Sequence, residues 1–192
     1  MRSRFFEKAY AERQTAGSIL QTLGADAGGG DELRTDHFVV RLSSSNADAA
    51  PGQRITLALD FVMAAGRHAY APGPHRYRPL VLRLDPHPLV KLHDTVYPAP
   101  RPYLFAPLQE TVPVFAGRFR LTRDVTLVTG KEIAELAASA DPTLTLNGAI
   151  DYQVCSDTLC YPPGSLPLRF TLRVRPLDRE RVREELRASP RP

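Results

Sequence analysis

The stretch QRITLALDFVM, residues 53–63, decides the fold class because its apolar side chains recur at every second position. Successive side chains of an extended chain point to opposite faces, so this pattern is typical of a β-strand that buries one face and exposes the other. The buried face of this strand is predicted to consist of Ile55, Leu57, Leu59 and Phe61.

Other segments of the chain repeat this alternation. They are HFVVRLSS (37–44), YRPLVLRLDP (77–86), GRFRLTRDVTLV (117–128), TLTLNGAIDYQVC (143–155) and LPLRFTLRVRP (166–176). One segment, KEIAELAASA (131–140), is predicted to be a helix that ends before Asp141-Pro142. A total of about seven strands with one short helix predicts an all-β fold, an immunoglobulin-like antiparallel β-sandwich.

Two features interrupt the pattern. Asn147-Gly148 is either a two-residue hairpin turn or a bulge inside one long strand. VKLHDTVYPAPRPYLFAPLQETVPVF, residues 90–115, is rich in proline and aromatic residues. It is predicted to be a long irregular excursion that packs on its own aromatic side chains.

The chain divides into three parts by composition. RFFEKAYAERQTAGSILQTL (4–23) favours a helix, and the triple glycine that follows it cannot hold regular structure cheaply. We therefore expect an N-terminal helical extension with a Gly-rich linker over residues 1–30, the sandwich over 36–176 and a charged tail over 177–192.

Composition argues against several classes of function. The net charge of +4 comes from Lys and Arg residues spread along the chain, whereas nucleic-acid binding favours a clustered basic stripe with interleaved aromatics. A run of about 18 apolar residues, as in a transmembrane helix, is absent, and the charged N-terminus does not resemble a signal peptide. Phosphate-loop, dinucleotide-binding, zincin and hydrolase motifs are absent too. We expect neither a nucleic-acid partner nor direct membrane insertion.

The five histidines show no metal-site spacing, either to one another or to the cysteines. We expect no metal site and predict that these are solvated loop histidines, namely His37, His68, His75, His87 and His93. A zinc site built on both cysteines would need two of these distant histidines to converge.

Both cysteines lie in DYQVCSDTLCYPPG, residues 151–164, and are a structural staple, half of a metal site or a redox-active dithiol. Cys155 ends an apolar strand, and Pro162-Pro163 prevents a helix after Cys160, so a disulfide can close in a tight loop. In a chain-entropy treatment so short a bridge stabilises the fold by only about 2 kcal/mol. A weak clamp of this kind is prone to exchange, but the spacing alone leaves the alternatives open.

A family resemblance rests on the motif YQVCSDTLCYPP, residues 152–163, and on PGQRITLALDFVMAAGRHAYAPGPHRYRPLVLRL, residues 51–84. Over roughly residues 36–176 the chain resembles the N-terminal periplasmic domain of the thiol:disulfide interchange protein DsbD and its relatives. The resemblance implies an immunoglobulin-like sandwich in which Cys155 and Cys160 cycle between dithiol and disulfide.

The resemblance also implies supporting residues around this pair. Those in the cysteine motif are Tyr152, Gln153, Tyr161, Pro162 and Pro163, and Asp157 is a further candidate because it lies between the cysteines. From the residues alone, the tyrosines are equally well core residues, and Asp157 either moves protons or merely stabilises the loop. A cap over the disulfide is expected within residues 97–115, with Tyr103, Phe105 and Phe115 as its candidate aromatics and Glu110 as its one acid.

The implied activity is that of a protein-disulfide reductase or thiol–disulfide oxidoreductase component with no cofactor. Its partners would be a thioredoxin-like oxidoreductase or a membrane electron-transfer domain, and its location periplasmic or otherwise extracytoplasmic. Residues 1–30 would then be the tail of an upstream redoxin-like module. The alternative is a non-enzymatic protein-binding module in which the disulfide only fixes a loop.

Overall fold

The computed structural model describes residues 31–105 and 109–177, which form strands and one short helix. In chain order the elements are β1 (Glu32–Arg34), β2 (Phe38–Ser44), β3 (Asp48–Ala49), β4 (Arg54–Met63), β5 (His68–Tyr70), β6 (Val81–Leu84), β7 (Val90–Val96), β8 (Arg101–Phe105), β9 (Glu110–Ala116), β10 (Arg118–Leu127), α1 (Lys131–Ala137), β11 (Thr143–Tyr152), β12 (Val154–Cys155) and β13 (Gly164–Val174). The expected N-terminal extension and the tail from residue 178 lie outside the described residues.

These strands form three sheets. The first has the order β1-β2-β4-β10-β7, the second β3-β13-β11-β6 and the third β12-β5-β9-β8. Every pairing is antiparallel except that of β3 with β13. The predicted all-β, immunoglobulin-like sandwich with one short helix is confirmed.

The main core lies between the first and second sheets and follows the alternation of the sequence. In β4 the four predicted side chains, Ile55, Leu57, Leu59 and Phe61, are all at most 1% exposed. Leu144, Leu146 and Ile150 of β11 and Leu168, Phe170 and Leu172 of β13 belong to the same cluster. Removing this apolar surface from water is the main stabilising term for such a fold.

The proline-rich stretch is more regular than its composition indicates, so the prediction of an irregular excursion over 90–115 is wrong. It contains β7, β8 and β9, and β8 pairs with β9 as a hairpin. Pro102 and Pro113 are directly opposite each other in that hairpin. Proline cannot donate to a ladder, yet β8 is an edge strand, where a missing amide hydrogen is tolerated.

The predicted strand over 143–155 is two strands in different sheets. β11 ends at Tyr152 in the second sheet, and β12 begins at Val154 in the third. Asn147 and Gly148 are neither a turn nor a bulge, because they pair in unbroken register with Arg169 and Leu168.

Close packing explains the glycine at position 148. A Cβ atom there would lie 2.3 Å from the carbonyl oxygen of Arg83 and 2.9 Å from a methyl carbon of Leu84. Both neighbours belong to β6, which pairs with β11 at this point. Gly148 therefore lets the backbone of β6 approach β11 closely.

The sandwich has two distinct ends. The turn after β4 at Gly66 and the turn between β9 and β10 at Gly117 lie at one end, beside His68 and Asp157. Leu177, where the described chain stops, lines a cavity of about 510 Å³ at the other end together with Pro51 and the residues that begin α1.

Replacing Gly148 with alanine is expected to destabilise the fold by about 1–3 kcal/mol, because the added methyl group overpacks the contact with β6. The measurement is the free energy of unfolding in urea with the disulfide kept oxidised. Gly73→Ala is the matched control, since its Cβ would meet only ordinary contacts from 3.5 Å outward. Equal stability of the two variants would contradict the packing argument.

Candidate functional site

The two cysteines form a disulfide at the edge of the third sheet. Cys155 lies in β12, Cys160 follows a short loop, and their Cα atoms are 4.0 Å apart. The loop has hydrogen bonds of its own: the Ser156 amide donates to the Leu159 carbonyl at 2.7 Å, and the Tyr161 amide donates to the Val154 carbonyl at 2.9 Å. The main chain therefore holds the loop closed independently of the sulfur atoms.

The two sulfur-bearing residues differ in solvent exposure. Cys155 is 1% exposed, whereas Cys160 is exposed. The difference arises because Cys155 belongs to a strand inside the protein and Cys160 has passed the end of the loop. An attacking thiolate from another protein can approach Cys160 and not Cys155.

A second, smaller core surrounds the disulfide. It consists of Tyr70, Val112, Val114 and Cys155, with Tyr77 and Tyr103 packed against it. The third sheet separates it from the main core, because neighbouring residues of its strands belong to different clusters. Val154 packs in the main core, and Cys155, the next residue, packs in the second one.

Tyr70 contacts both sulfur atoms. Its hydroxyl oxygen lies 3.4 Å from Cys155 Sγ and 3.6 Å from Cys160 Sγ. Sulfur atoms in a disulfide carry no proton, so the hydroxyl is the donor. Burial, followed by the nearby Tyr77, Tyr103 and Glu110, raises the pKa of Tyr70 to about 12. The hydroxyl therefore remains a donor throughout the physiological pH range.

Two further tyrosines cover this donor. Tyr77 stacks on the Tyr70 ring at 4.4 Å between centroids and donates to Glu110 Oε2 at 3.0 Å. Tyr103 of β8 donates to Asp157 Oδ1 at 3.0 Å. Because Asp157 lies between the two cysteines, this bond joins the β8–β9 hairpin to the disulfide loop.

The structure places the three aromatic cap candidates differently. Tyr103 lies over the disulfide region, as its bond to Asp157 shows. Phe105 ends β8 opposite Glu110. Phe115 stacks on Phe119 at 5.0 Å, with its side chain on the sheet face away from the second core.

The residues that flank the cysteines hold the loop to the sandwich. Tyr152 packs edge-on against Phe38 at 4.9 Å and touches the main core. The amide nitrogen of the Gln153 side chain donates to the Tyr161 carbonyl at 3.2 Å. The Tyr161 ring lies 4.4 Å from the His37 ring and 4.5 Å from the guanidinium carbon of Arg67. Pro162 and Pro163 are exposed and lie outside regular structure.

The prediction that all histidines lie in solvated loops is wrong for His68, which is 4% exposed within β5, and for His93, which is half-buried within β7. The His68 ring lies 4.2 Å from that of Tyr103, and its Nε2 atom finds no hydrogen-bond partner among the described residues. Burial lowers the pKa of His68, and the negative charge of Asp157 acts in the opposite direction.

Sequence reasoning missed both His68 and Tyr70. Their one signal in the sequence is the short alternation of large side chains with alanines in HAYA, residues 68–71. In the structure it is a central strand of the third sheet, buried along its whole length. A three-residue strand is too short for period-two alternation to distinguish it from a loop.

A cavity of about 280 Å³ lies beside this cluster. Its polar lining comes from Arg67, His68, Tyr103 and Asp157, and apolar residues from the ends of β4 and β9 complete it. Within residues 31–105 and 109–177, no group of three or more His, Cys, Asp or Glu side chains could hold a metal ion. No helix in these ranges is long and apolar enough to cross a membrane.

Tyr70→Phe keeps the ring and removes the donor to both sulfurs. Hydrogen bonds to a charged acceptor are stronger than those to a neutral one, so the loss penalises the thiolate released on reduction more than the disulfide. We expect reduction by dithiothreitol at pH 7 to slow about fivefold, from about 1 kcal/mol of lost stabilisation. Tyr97→Phe, away from the second core, is the control. Equal rates for both variants would contradict a role for the Tyr70 hydroxyl.

Comparison with known families identifies one match. The family model described as "Thiol:disulfide interchange protein DsbD, N-terminal" matches residues 38–168. That range runs from β2 into β13 and contains both cysteines. No curated protein sequence matches this chain.

Two bacterial domains are among the solved structures that the comparison found to resemble this chain. The N-terminal periplasmic domain of ScsB from Proteus mirabilis has a TM-score of 0.49 and 18% identity, over 71% of this chain and 49% of that chain. The N-terminal domain of Neisseria meningitidis DsbD, in the reduced form, has a TM-score of 0.42 and 15% identity, over 68% of this chain and 83% of that chain. The match thus spans about half the length of the ScsB chain.

Proposed function

Because this chain belongs to the family of N-terminal domains of the thiol:disulfide interchange protein DsbD, we propose that it is a thiol–disulfide exchange domain. It passes electrons between a thioredoxin-like or membrane-embedded partner and other oxidoreductases through Cys155 and Cys160. The observation that carries this proposal is the disulfide itself, which has one buried and one exposed cysteine and a hydroxyl donor on both sulfurs.

The position of the disulfide favours exchange over a structural role. It joins residues only five positions apart, and the backbone hydrogen bond from Tyr161 to Val154 already closes the same loop. The main core packs without either cysteine. Opening the bridge therefore leaves the sandwich intact, which a reversible redox couple requires.

The exchange proceeds in two balanced steps. A partner thiolate attacks Cys160 Sγ, a mixed disulfide forms, and the electron pair of the broken bond stays on Cys155 as a thiolate. A second thiolate of the partner then attacks the mixed disulfide, which oxidises the partner and leaves Cys160 reduced. The Tyr70 hydroxyl donates to the departing thiolate. Run in reverse, the same steps reduce a downstream disulfide.

Tyr103 is the aromatic of the cap in this proposal, with Asp157 as its attachment point on the disulfide loop. Its ring and its hydrogen bond both lie at the site, whereas the Phe115 ring packs against Phe119. A partner reaches the exposed Cys160 directly, while Tyr103 covers the buried side of the site, where Cys155 lies. Tyr152, Gln153 and Tyr161 hold the loop in place, and Pro162-Pro163 ends it.

The proposed location is the periplasm, where the solved ScsB domain is described as residing. Disulfides form and persist in such oxidising compartments. Residues 1–30 are proposed to be the end of an upstream redoxin-like module, joined to the sandwich over residues 36–176 by the Gly-rich linker, with residues 177–192 as a charged tail.

The test uses single-cysteine variants and a thioredoxin-like oxidoreductase with one active-site cysteine replaced. Cys155→Ser should trap a mixed disulfide through the exposed Cys160, detected as a reducible covalent complex, whereas Cys160→Ser should trap far less. Wild-type protein should also titrate as a reversible two-electron couple in glutathione buffers.

The double variant Cys155→Ser, Cys160→Ser is the control for non-covalent association. If it binds the partner as tightly as wild type does, and no covalent complex forms with either single variant, the chain is a protein-binding module with a structural disulfide. A disulfide that stays oxidised at strongly reducing potentials would lead to the same conclusion.

A further inference from the structure

In the exchange steps proposed above, Cys155 becomes a buried thiolate whose negative charge must be solvated or neutralised. Cys155 is 1% exposed, so water does not solvate the charge that forms when the disulfide opens. Burial of an unpaired charge is strongly unfavourable, and such groups normally bind a proton instead. The Tyr70 hydroxyl can donate a hydrogen bond, but with its pKa raised to about 12 it keeps its own proton.

His68 is the titratable side chain directly opposite this sulfur. It is the Cα partner of Cys155 in the antiparallel pairing of β5 with β12. Residues opposite each other in such a pair have side chains on the same face, with Cβ atoms about 4.5–5.5 Å apart. The same imidazole lines the cavity of about 280 Å³ at the end of the sandwich. His68 thus lies between the buried sulfur and a space connected to solvent.

The Nε2 atom of His68 is one of three buried histidine nitrogens without a hydrogen-bond partner among the described residues, and it is the one that belongs to the residue opposite Cys155 in the sheet. A buried polar atom without a hydrogen bond is costly, and proteins retain few of them. This cost falls when a thiol or thiolate appears on the same sheet face, because the imidazole then gains a hydrogen-bond partner. In the oxidised state neither sulfur carries a proton, so the disulfide cannot donate to an unprotonated Nε2, and the Tyr70 hydroxyl already contacts both sulfurs.

We propose that His68 is the proton-transfer partner of Cys155 in thiol–disulfide exchange, a role that rests on the exchange function proposed above. When a partner disulfide is reduced, the neutral imidazole takes the proton of the Cys155 thiol, and the thiolate attacks the mixed disulfide on Cys160. The new bond forms between the two domain sulfurs, and the partner leaves with the electron pair. The imidazolium releases its proton through the cavity. In the opposite direction it protonates the departing Cys155 thiolate.

The charged and titratable groups around His68 are compatible with this role. Asp157, from the disulfide loop, favours the imidazolium, while burial favours the neutral ring. Tyr103 of β8 covers the imidazole, and the Tyr70 ring, two residues along β5, meets it edge-on. Arg67 precedes His68 in the chain, and its guanidinium carbon lies 4.5 Å from the centre of the Tyr161 ring. Burial is the larger of the two influences and lowers the pKa of His68, so the ring is neutral before it accepts the thiol proton.

The experiment follows the reaction of the fully reduced domain with dithiobis(nitrobenzoate), using stopped-flow absorbance over a range of pH. The first thionitrobenzoate is released when Cys160 attacks the reagent. The second is released when Cys155 attacks the mixed disulfide on Cys160, and this step requires deprotonated Cys155. For His68→Phe we expect the second step to slow at least about tenfold at pH 7. The first step should be unchanged, and the second should recover at a pH high enough to ionise the thiol directly.

Two further variants keep the test decisive. His68→Gln retains polarity but cannot titrate, so it should show the same loss even if the phenylalanine variant folds poorly. His93→Gln removes a half-buried histidine that contacts Thr126, far from the disulfide, and should behave as wild type. Superimposable pH–rate profiles for the second step in wild type and both His68 variants would overturn the proton-transfer role alone. Failure of wild type to release the second thionitrobenzoate would instead overturn the exchange function.

Discussion

The pairing of β12 with β5 is the contact on which the site depends. It joins Val154 to Ala69 and Cys155 to His68, and it is the only link between β12 and the rest of the third sheet within the described residues. Through it the chain leaves the second sheet after Tyr152 and brings a cysteine onto the face where Tyr70 lies. Without this switch of sheets, Cys155 would continue along β11 and would not meet the aromatic cluster.

The separation of the two cores determines how much of the folding free energy depends on the disulfide. The main core carries the bulk of the buried apolar surface, while the second contains the disulfide and its tyrosines. Breaking and forming the sulfur–sulfur bond perturbs only the smaller cluster, so the stability of the sandwich depends little on the redox state. The hydrogen bond between Tyr103 and Asp157 joins the β8–β9 hairpin to the disulfide loop, at an exposed position where such a bond contributes little net stability.

Much of the sandwich follows from alternation in the sequence. β2, β4, β10 and β13 lie where the pattern predicts, because each buries one face for many residues and period two is then unambiguous. Alternation even continues through the change of sheet: Ile150 and Val154 face the main core while Cys155 faces the other way.

The short strands and the residues around the disulfide depend on tertiary contacts, which alternation in the sequence does not predict. The strand that carries His68 and Tyr70 is three residues long, and β8 contains a proline that argues against any strand until its place at a sheet edge is known. The cysteine motif indicated where the chemistry lies. The hydroxyl donor Tyr70, the covering Tyr103 and the buried His68 come from parts of the chain about 50 to 90 residues away from it. Local sequence patterns do not connect residues that far apart.

The two ends of the sandwich lie far apart. β4 alone has ten residues, so the cavity that contains Leu177 and the one that contains His68 are separated by roughly 30 Å of strand. Under the exchange function proposed above, the disulfide end of the sandwich is therefore the end remote from α1 and Leu177, so neither obstructs a partner that approaches it.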